Sequence, residues 1–295
     1  MNALTAALRL PVVLVRYHEL LGAFVRRELR ARIEGSILGR VWPVAQPALL
    51  FAIYYFIFVK ILRIPVNDQL APHGPDPGAI GWRATFFLII GILPWTVFAE
   101  SLNRGSGVVL EHANLIKKIA FPSELLPVYQ VLVYHVYFLI GFSILLVVEA
   151  TVNSGLPLAL AWFPVVLLVQ MMFITGLAMV LSAANVFVRD VMQAVPILLT
   201  FWMFTTPVFY DPLAIVTSAQ ASGNADAAKW ALDASTAMHF NPMAILIQIY
   251  RAIFSYGQIP FPLVGLAKLG GVAACVLWLG YAYFLRSKGR FADEV

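Results

Sequence analysis

The chain has 295 residues, of which 61% are hydrophobic and only 12% charged, and its mean hydropathy is +0.84. That balance excludes a soluble globular domain and requires an integral membrane protein. A net charge of +5 and a pI near 9.4 would suit a nucleic-acid partner, but no basic patch is interleaved with a reading motif, and a positive-inside bias accounts for the charge better.

Residues 1–15 contain a short apolar run without a basic leader or a small-residue cleavage pattern, and read as a retained cytoplasmic end. Over residues 16–33, at 100° per residue, Tyr17, Leu20, Leu21, Phe24 and Val25 share one arc while Arg16, Glu19, Arg26, Arg27 and Arg30 occupy the other. Such a helix suits a membrane surface, its arginines matching anionic headgroups. Past Arg27 the pattern weakens, because Glu28 and Arg32 fall on the apolar side, so its C-terminal half is expected to face protein. Residues 41–62 are almost wholly apolar or aromatic, and at 1.5 Å per residue they reach roughly 33 Å, enough for a first span. Along it Phe51, Tyr54, Tyr55 and Phe58 recur at i, i+3, i+4 and i+7 as one stripe. The stripe reads either as helix packing or an interfacial belt, or as a lining for a long amphipathic substrate, since tyrosine offers a flat apolar face with a polar tip.

Residues 63–83 are rich in proline and glycine and predict an external loop. A second span follows over 84–103, with Pro94 predicting a kink and Arg104 and Gly105 marking its inner end. Residues 105–118 are too polar to span and predict a short helix at the cytoplasmic face. Spans three to five are placed at 126–151, 159–187 and 191–210, the last two joined by a tight inner hairpin at Val188, Arg189 and Asp190. A structural role is expected for Arg189 and Asp190. The fifth span repeats the aromatic chemistry with Phe201, Trp202, Phe204, Phe209 and Tyr210. Residues 211–262 begin polar, then give an apolar stretch from Asn241 to Phe254 that is short for a span and predicts a re-entrant or interfacial helix. A sixth span over 263–285 precedes the polar tail RSKGRFADEV. The fold class expected is an all-α, single membrane domain of six spans. With fourteen Lys and Arg assigned inside and five outside, Arg251 among the latter, both termini are expected in the cytoplasm.

The dipeptide Gly-Lys does not occur, so the chain has no Walker A loop, and the single Cys275 excludes a multi-cysteine metal site. Ionisable residues within the spans are few: Glu100, His135, Glu149 and Lys268. That scarcity disfavours a proton-coupled carrier, and no carboxylate pair or Ser/His/Asp set supports an intramembrane enzyme. His135 reads as a hydrogen-bonded packing residue. No catalytic residue and no metal ligand is expected.

The stretches RELRARIEGSILGRVWPVAQP (27–47), NLIKKIAFPSELLP (114–127), NVFVRD (185–190), TPVFY (206–210), Asn241-Pro242 and the terminal RFADEV resemble, in order and over nearly the whole chain, the permease subunit of type-2 ABC exporters of lipid-linked polysaccharides, the O-antigen and teichoic acid exporters above all. The resemblance implies six spans, a homodimer, and two copies of an ABC ATP-binding subunit docked on the cytoplasmic face of a bacterial inner membrane. ATP and magnesium then belong to that partner, and no cofactor to this chain. It implies that the 16–33 and 105–118 helices are interfacial and coupling elements, with Arg27, Glu28, Arg30, Glu111, His112, Lys117 and Lys118 as docking residues. It also implies a pair of external re-entrant helices in 211–262, and the substrate path is expected along Phe51, Tyr54, Tyr55, Phe58, Phe201, Trp202, Phe209 and Tyr210. Permeation of a drug or glycolipid, secondary transport, and membrane-bound glycan modification are the alternatives.

Overall fold

The computed structural model describes residues 9–32, 34, 39–42, 45, 48–49, 52–53, 55–61, 79–118, 121–152, 155–254 and 261–294. Among these the chain is helical: α1 Arg9–Arg16, α2 His18–Ala31, α3 Ala79–Glu111, α4 Ala113–Lys118, α5 Leu125–Val152, α6 Phe163–Phe187, α7 Asp190–Thr205, α8 Pro212–Ala221, α9 Ala225–Met238, α10 Pro242–Ile253, α11 Leu263–Lys288 and α12 Phe291–Glu294. Among the described residues four stretches are long and apolar enough to cross a membrane: Thr85–Glu111, Leu125–Thr151, Leu158–Phe187 and Leu263–Lys288. Eight of the 22 residues of the predicted first span, Phe51 and Tyr54 among them, lie outside the described residues. Its far end, Tyr55–Ile61, is a π-type helical segment that runs alongside α3.

Two predicted boundaries move. The second span is the middle of a longer helix: α3 runs 33 residues through Pro94, Arg104 and Gly105 to Glu111, about 50 Å at 1.5 Å per residue, so it outruns a hydrocarbon core of about 30 Å. Arg104 and Gly105 do not end it because helix packing holds the backbone there. Gly105 is buried, and a Cβ on it would stand 3.2 Å from the Ala178 Cβ. The predicted 105–118 helix is therefore the last two turns of α3 followed by the six residues of α4. In the other direction, the fifth span is shorter than its predicted 191–210. α7 stops at Thr205, and Thr206 is extended (φ −104, ψ 135), because Pro207 disfavours helical backbone in the residue before it.

Within 211–262 the described residues form three helices, α8, α9 and α10. α8 and α9 form a hairpin that packs chiefly on itself, turned by Gly223 at φ +71, a conformation that suits glycine. Asn224 caps α9 by accepting from the Asp226 and Ala227 amides at 3.1 Å. Among the described residues of this region α10 packs into the bundle, against α3, α6 and α11.

In lipid, apolar side chains gain little by leaving their surroundings, so close packing and internal hydrogen bonds carry helix association. The tightest contact joins α6 and α11. A Cβ on Gly176 would lie 2.6 Å from the Val276 carbonyl, and one on Gly280 would collide with the Gly176 carbonyl. An aromatic core fills the centre: Phe142 stacks on Phe163 at 4.1 Å, Phe98 lies parallel to Phe173 at 6.0 Å, and Phe138 and Phe254 flank Phe142. A second apolar cluster occupies the end where α3 and α11 finish and α5 begins, and includes Leu10, Leu21, Val108, Tyr129, Phe284 and Phe291.

Candidate functional site

Two polar regions stand at opposite ends of the bundle. At the first, α2 lies against α5 with its apolar arc facing protein along its length, rather than only beyond Arg27. Phe24 is its centre, 5.3 Å from Tyr129, 5.6 Å from Phe121 and 6.0 Å from His112. The His112 ring also lies 5.8 Å from Tyr129, and its Nδ1 lies 2.9 Å from the Val108 carbonyl oxygen. The two charges that interrupt the apolar arc find partners: Glu28 and Arg32 pair at 3.5 Å, and Arg32 donates to the Tyr134 hydroxyl at 2.7 Å with its guanidinium over the Tyr134 and Tyr137 rings.

Around this aromatic base Arg27, Arg30, Glu111 and Lys117 are exposed, while Glu28 and His112 are half-buried. Arg27 extends over the Phe24 ring at 5.4 Å. The structure thus brings five of the predicted coupling residues, Arg27, Glu28, Glu111, His112 and Lys117, to the α2, α3 and α4 junction. Arg30 sits further along α2, and the Lys118 side chain lies outside the described residues. The junction thus has an apolar base and a charged rim of both signs. Nearby, Arg189 and Asp190 are exposed. Asp190 opens α7, where a carboxylate complements the helix dipole. The bond across this hairpin comes from Asn185, whose Oδ1 accepts from the Met192 amide at 3.2 Å.

At the opposite end α10 is fixed by three polar nodes. Asn241 Oδ1 caps the helix, accepting from the Met243 amide at 3.0 Å and the Ala244 amide at 3.4 Å, and also takes the Trp202 indole N–H at 3.0 Å. Its Nδ2 donates to Thr206 Oγ1 at 2.9 Å. Arg251, counted from sequence among external charges, is buried at 6% exposure. It donates through Nη2 to the Val208 carbonyl at 2.8 Å and through Nη1 to that of Tyr210 at 3.4 Å, with its guanidinium 3.6 Å from the Phe87 ring centre. Gly91 makes room for this crossing: a Cβ there would stand 2.5 Å from the Val208 oxygen and 2.9 Å from Arg251 Nη2. Deeper still, Tyr250 donates to Gln170 Oε1 at 2.5 Å, and Gln170 Nε2 reaches the Pro94 carbonyl at 3.4 Å.

The predicted path residues divide. Phe51 and Tyr54, with the side chains of Tyr55 and Phe58, lie outside the described residues. Trp202 is committed to Asn241 and to an edge contact with Phe98 at 5.0 Å. Phe209 packs against the core, and Tyr210 donates to the Phe204 carbonyl at 3.3 Å. Phe201 stands apart, 70% exposed on an outward face of α7 with Ile197, Leu198 and Phe204. His135 is a buried packing residue with Nδ1 2.7 Å from the Val131 oxygen. Sequence reasoning missed Gln170 and took Arg251 only as an external charge. Their signal was a polar side chain within an otherwise apolar helix, which in a membrane protein marks a partner.

The ABC-2 type transporter family matches residues 19–255. The O-antigen export system permease protein RfbA of Myxococcus xanthus is 31% identical over 290 residues, covering 98% of this chain and all of that protein. Two proteins of the same description from Klebsiella pneumoniae are 26% and 25% identical over 276 and 278 residues, each covering 93% of this chain and 94% of the relative.

Proposed function

The chain belongs to the ABC-2 type transporter family, and from that premise we propose that it forms the path by which a lipid-linked polysaccharide of the O-antigen kind crosses a bacterial inner membrane. It is an all-α permease subunit, and an ABC ATP-binding subunit is its partner. The observation that carries the cargo assignment is similarity to O-antigen export permeases over the whole length, the outer α8 to α10 region included, rather than over the spans alone.

In this reading the working unit is a homodimer with two ATP-binding subunits. Both termini lie in the cytoplasm, which puts the α2 to α4 junction against those subunits. ATP and magnesium act there, and this chain contributes no catalytic group. Arg27, Glu28, Arg30, Glu111, His112, Lys117 and Lys118 receive the partner, and Arg189 and Asp190 hold the inner turn. A polysaccharide is too long for an enclosed pocket, so its path needs many weak contacts that release as readily as they hold. Aromatic faces at Phe51, Tyr54, Tyr55, Phe58 and Phe201 suit the flat faces of sugar rings, and Trp202, Phe209 and Tyr210 support the outer end of that path. The α10 nodes hold the element that closes it.

The test is complementation. A strain lacking its own O-antigen permease is given this chain with its cognate ATP-binding subunit, and surface polysaccharide is measured. Restored surface polymer is expected, and its absence at normal protein levels, with polymer retained inside, would refute the cargo assignment.

A further inference from the structure

The mechanism proposed above leaves the C-terminal segment without a role, although the structure commits it firmly. After α11, a turn closed by Arg290 N–H to the Ser287 carbonyl at 3.0 Å reverses the chain into α12. Phe291, the lone large apolar residue of the polar tail, is fully buried. Its ring meets Phe284 edge-on at 5.2 Å and Phe187, the last residue of α6, at 6.3 Å. α12 touches both α4 and α6. Three residues before Phe291, Lys288 Nζ donates to Glu124 Oε2 at 2.6 Å, where the Glu124 side chain is only 7% exposed. Glu124 immediately precedes α5, at the end of the segment that leads out of α4. Lys288 therefore ties the end of α11 to Glu124 on the far side of the coupling segment, while Phe291 seats α12, which touches α4, against α6 and α11.

What this fastening joins is the important point. α11 and α6 touch backbone to backbone at Gly176 and Gly280, so they move as one body. α4 carries Lys117 of the charged rim described above. Between them, Glu124 with Lys288 is a partly shielded ion pair, and Phe291 is a plug seated in the second apolar cluster, against Phe284 and Phe187. A packed aromatic plug and a short ion pair resist both separation and sliding, which an apolar contact alone resists less well.

We propose that the segment from Phe284 to Glu294 is a strut, with Glu124, Lys288 and Phe291 as positioning residues that transmit displacement of α4 to the α6 and α11 pair. This rests on the reading of α4 as the element moved by the ATP-binding subunit. Without the strut, ATP hydrolysis continues but moves α4 against a bundle that does not follow. The strut acts as one unit, so removing either fastening disables it, and removing both adds little.

The experiment uses the full complex with its ATP-binding subunit in proteoliposomes and in the complemented strain. ATPase rate, complex assembly and exported polysaccharide normalised to permease level are measured for Lys288→Gln, Phe291→Ala, their combination, and the conservative Lys288→Arg and Phe291→Leu. Expected are wild-type assembly and ATPase rates in all variants, and export per ATP hydrolysed lowered roughly fivefold or more in Lys288→Gln and Phe291→Ala. The combination should be no worse than the poorer single variant, and the two conservative variants should be largely restored. Export that falls only in step with protein level would make the segment merely structural and overturn the strut, as would unchanged export in both single variants. Failure of the underlying reading looks different: the wild-type complex itself would neither assemble nor export.

Discussion

Arg251 is the residue at which size and charge make opposing predictions, and the structure decides between them. Its substitution by lysine keeps the charge; substitution by methionine keeps most of the length and removes it. The guanidinium donates to Val208 at 2.8 Å and Tyr210 at 3.4 Å and lies 3.6 Å from the Phe87 ring centre. A charge-assisted hydrogen bond contributes about 1.5–3 kcal/mol and a desolvated cation–π contact about 2 kcal/mol, and the 3.4 Å bond adds little. Against these gains, burying an ion costs several kcal/mol, and Arg251 is 6% exposed. Gain and cost nearly cancel. Arg251→Met then forfeits little beyond the orphaned Val208 carbonyl, about 1–2 kcal/mol. Lysine retains a charge to bury but loses the planar face for Phe87 and the fork that spans two carbonyls. A buried charge that loses its hydrogen-bond partners costs about 3–5 kcal/mol, and the pull of the half-exposed Asp211 on either cation offsets part of it, so the chemically conservative Arg251→Lys is expected to be the worse by about 1–2 kcal/mol. The assay is the temperature at which the purified, detergent-solubilised protein loses its monodisperse peak in gel filtration. A lysine variant as stable as wild type, or more stable than the methionine variant, would refute the balance argued here.

Asn241→Ala removes the α10 cap and the Trp202 partner together and is expected to cost about 1–2 kcal/mol; Asn241→Asp keeps the acceptor and should cost less, by the same thermal assay. Gly176→Leu forces α6 and α11 apart and should cost at least the roughly 1–3 kcal/mol of overpacking, seen as loss of protein from the membrane fraction. Reversal of the rim charges in a Glu111→Lys, Lys117→Glu double variant should weaken co-purification of the ATP-binding subunit while leaving permease abundance unchanged; equal recovery would remove these residues from the docking surface.

How far the sequence could be read is clearest at particular residues. Hydropathy located the cores of α3, α5, α6 and α11, because about 20 apolar residues leave few alternatives. Helix ends were harder. Arg104 and Gly105 look like a terminus, yet α3 continues through them because Gly105 lies against Ala178, a contact no local pattern reveals. At Thr206 the local signal was present in Pro207 and was outweighed by the apolar run. The charge count placed Arg251 outside, since such a count treats every cation as solvated, and only the fold supplies the Val208 carbonyl and the Phe87 face. The amphipathic arc of α2 was legible down to Glu28 and Arg32, whose intrusion signalled a protein neighbour; that the neighbour is Tyr134 requires tertiary structure. The aromatic set of 201–210 looked like one lining, and helical rotation together with the break at Thr206 sends Phe201 outward and Trp202 inward.

The contact of Gly176 with Gly280 also constrains the order in which the protein is made. α6 leaves the ribosome well before α11, with α7 to α10 synthesised between them. Until α11 inserts, α6 lacks its tightest neighbour at Gly176. A nascent chain halted before residue 263 therefore has the Gly176 surface of α6 but not the helix that covers it.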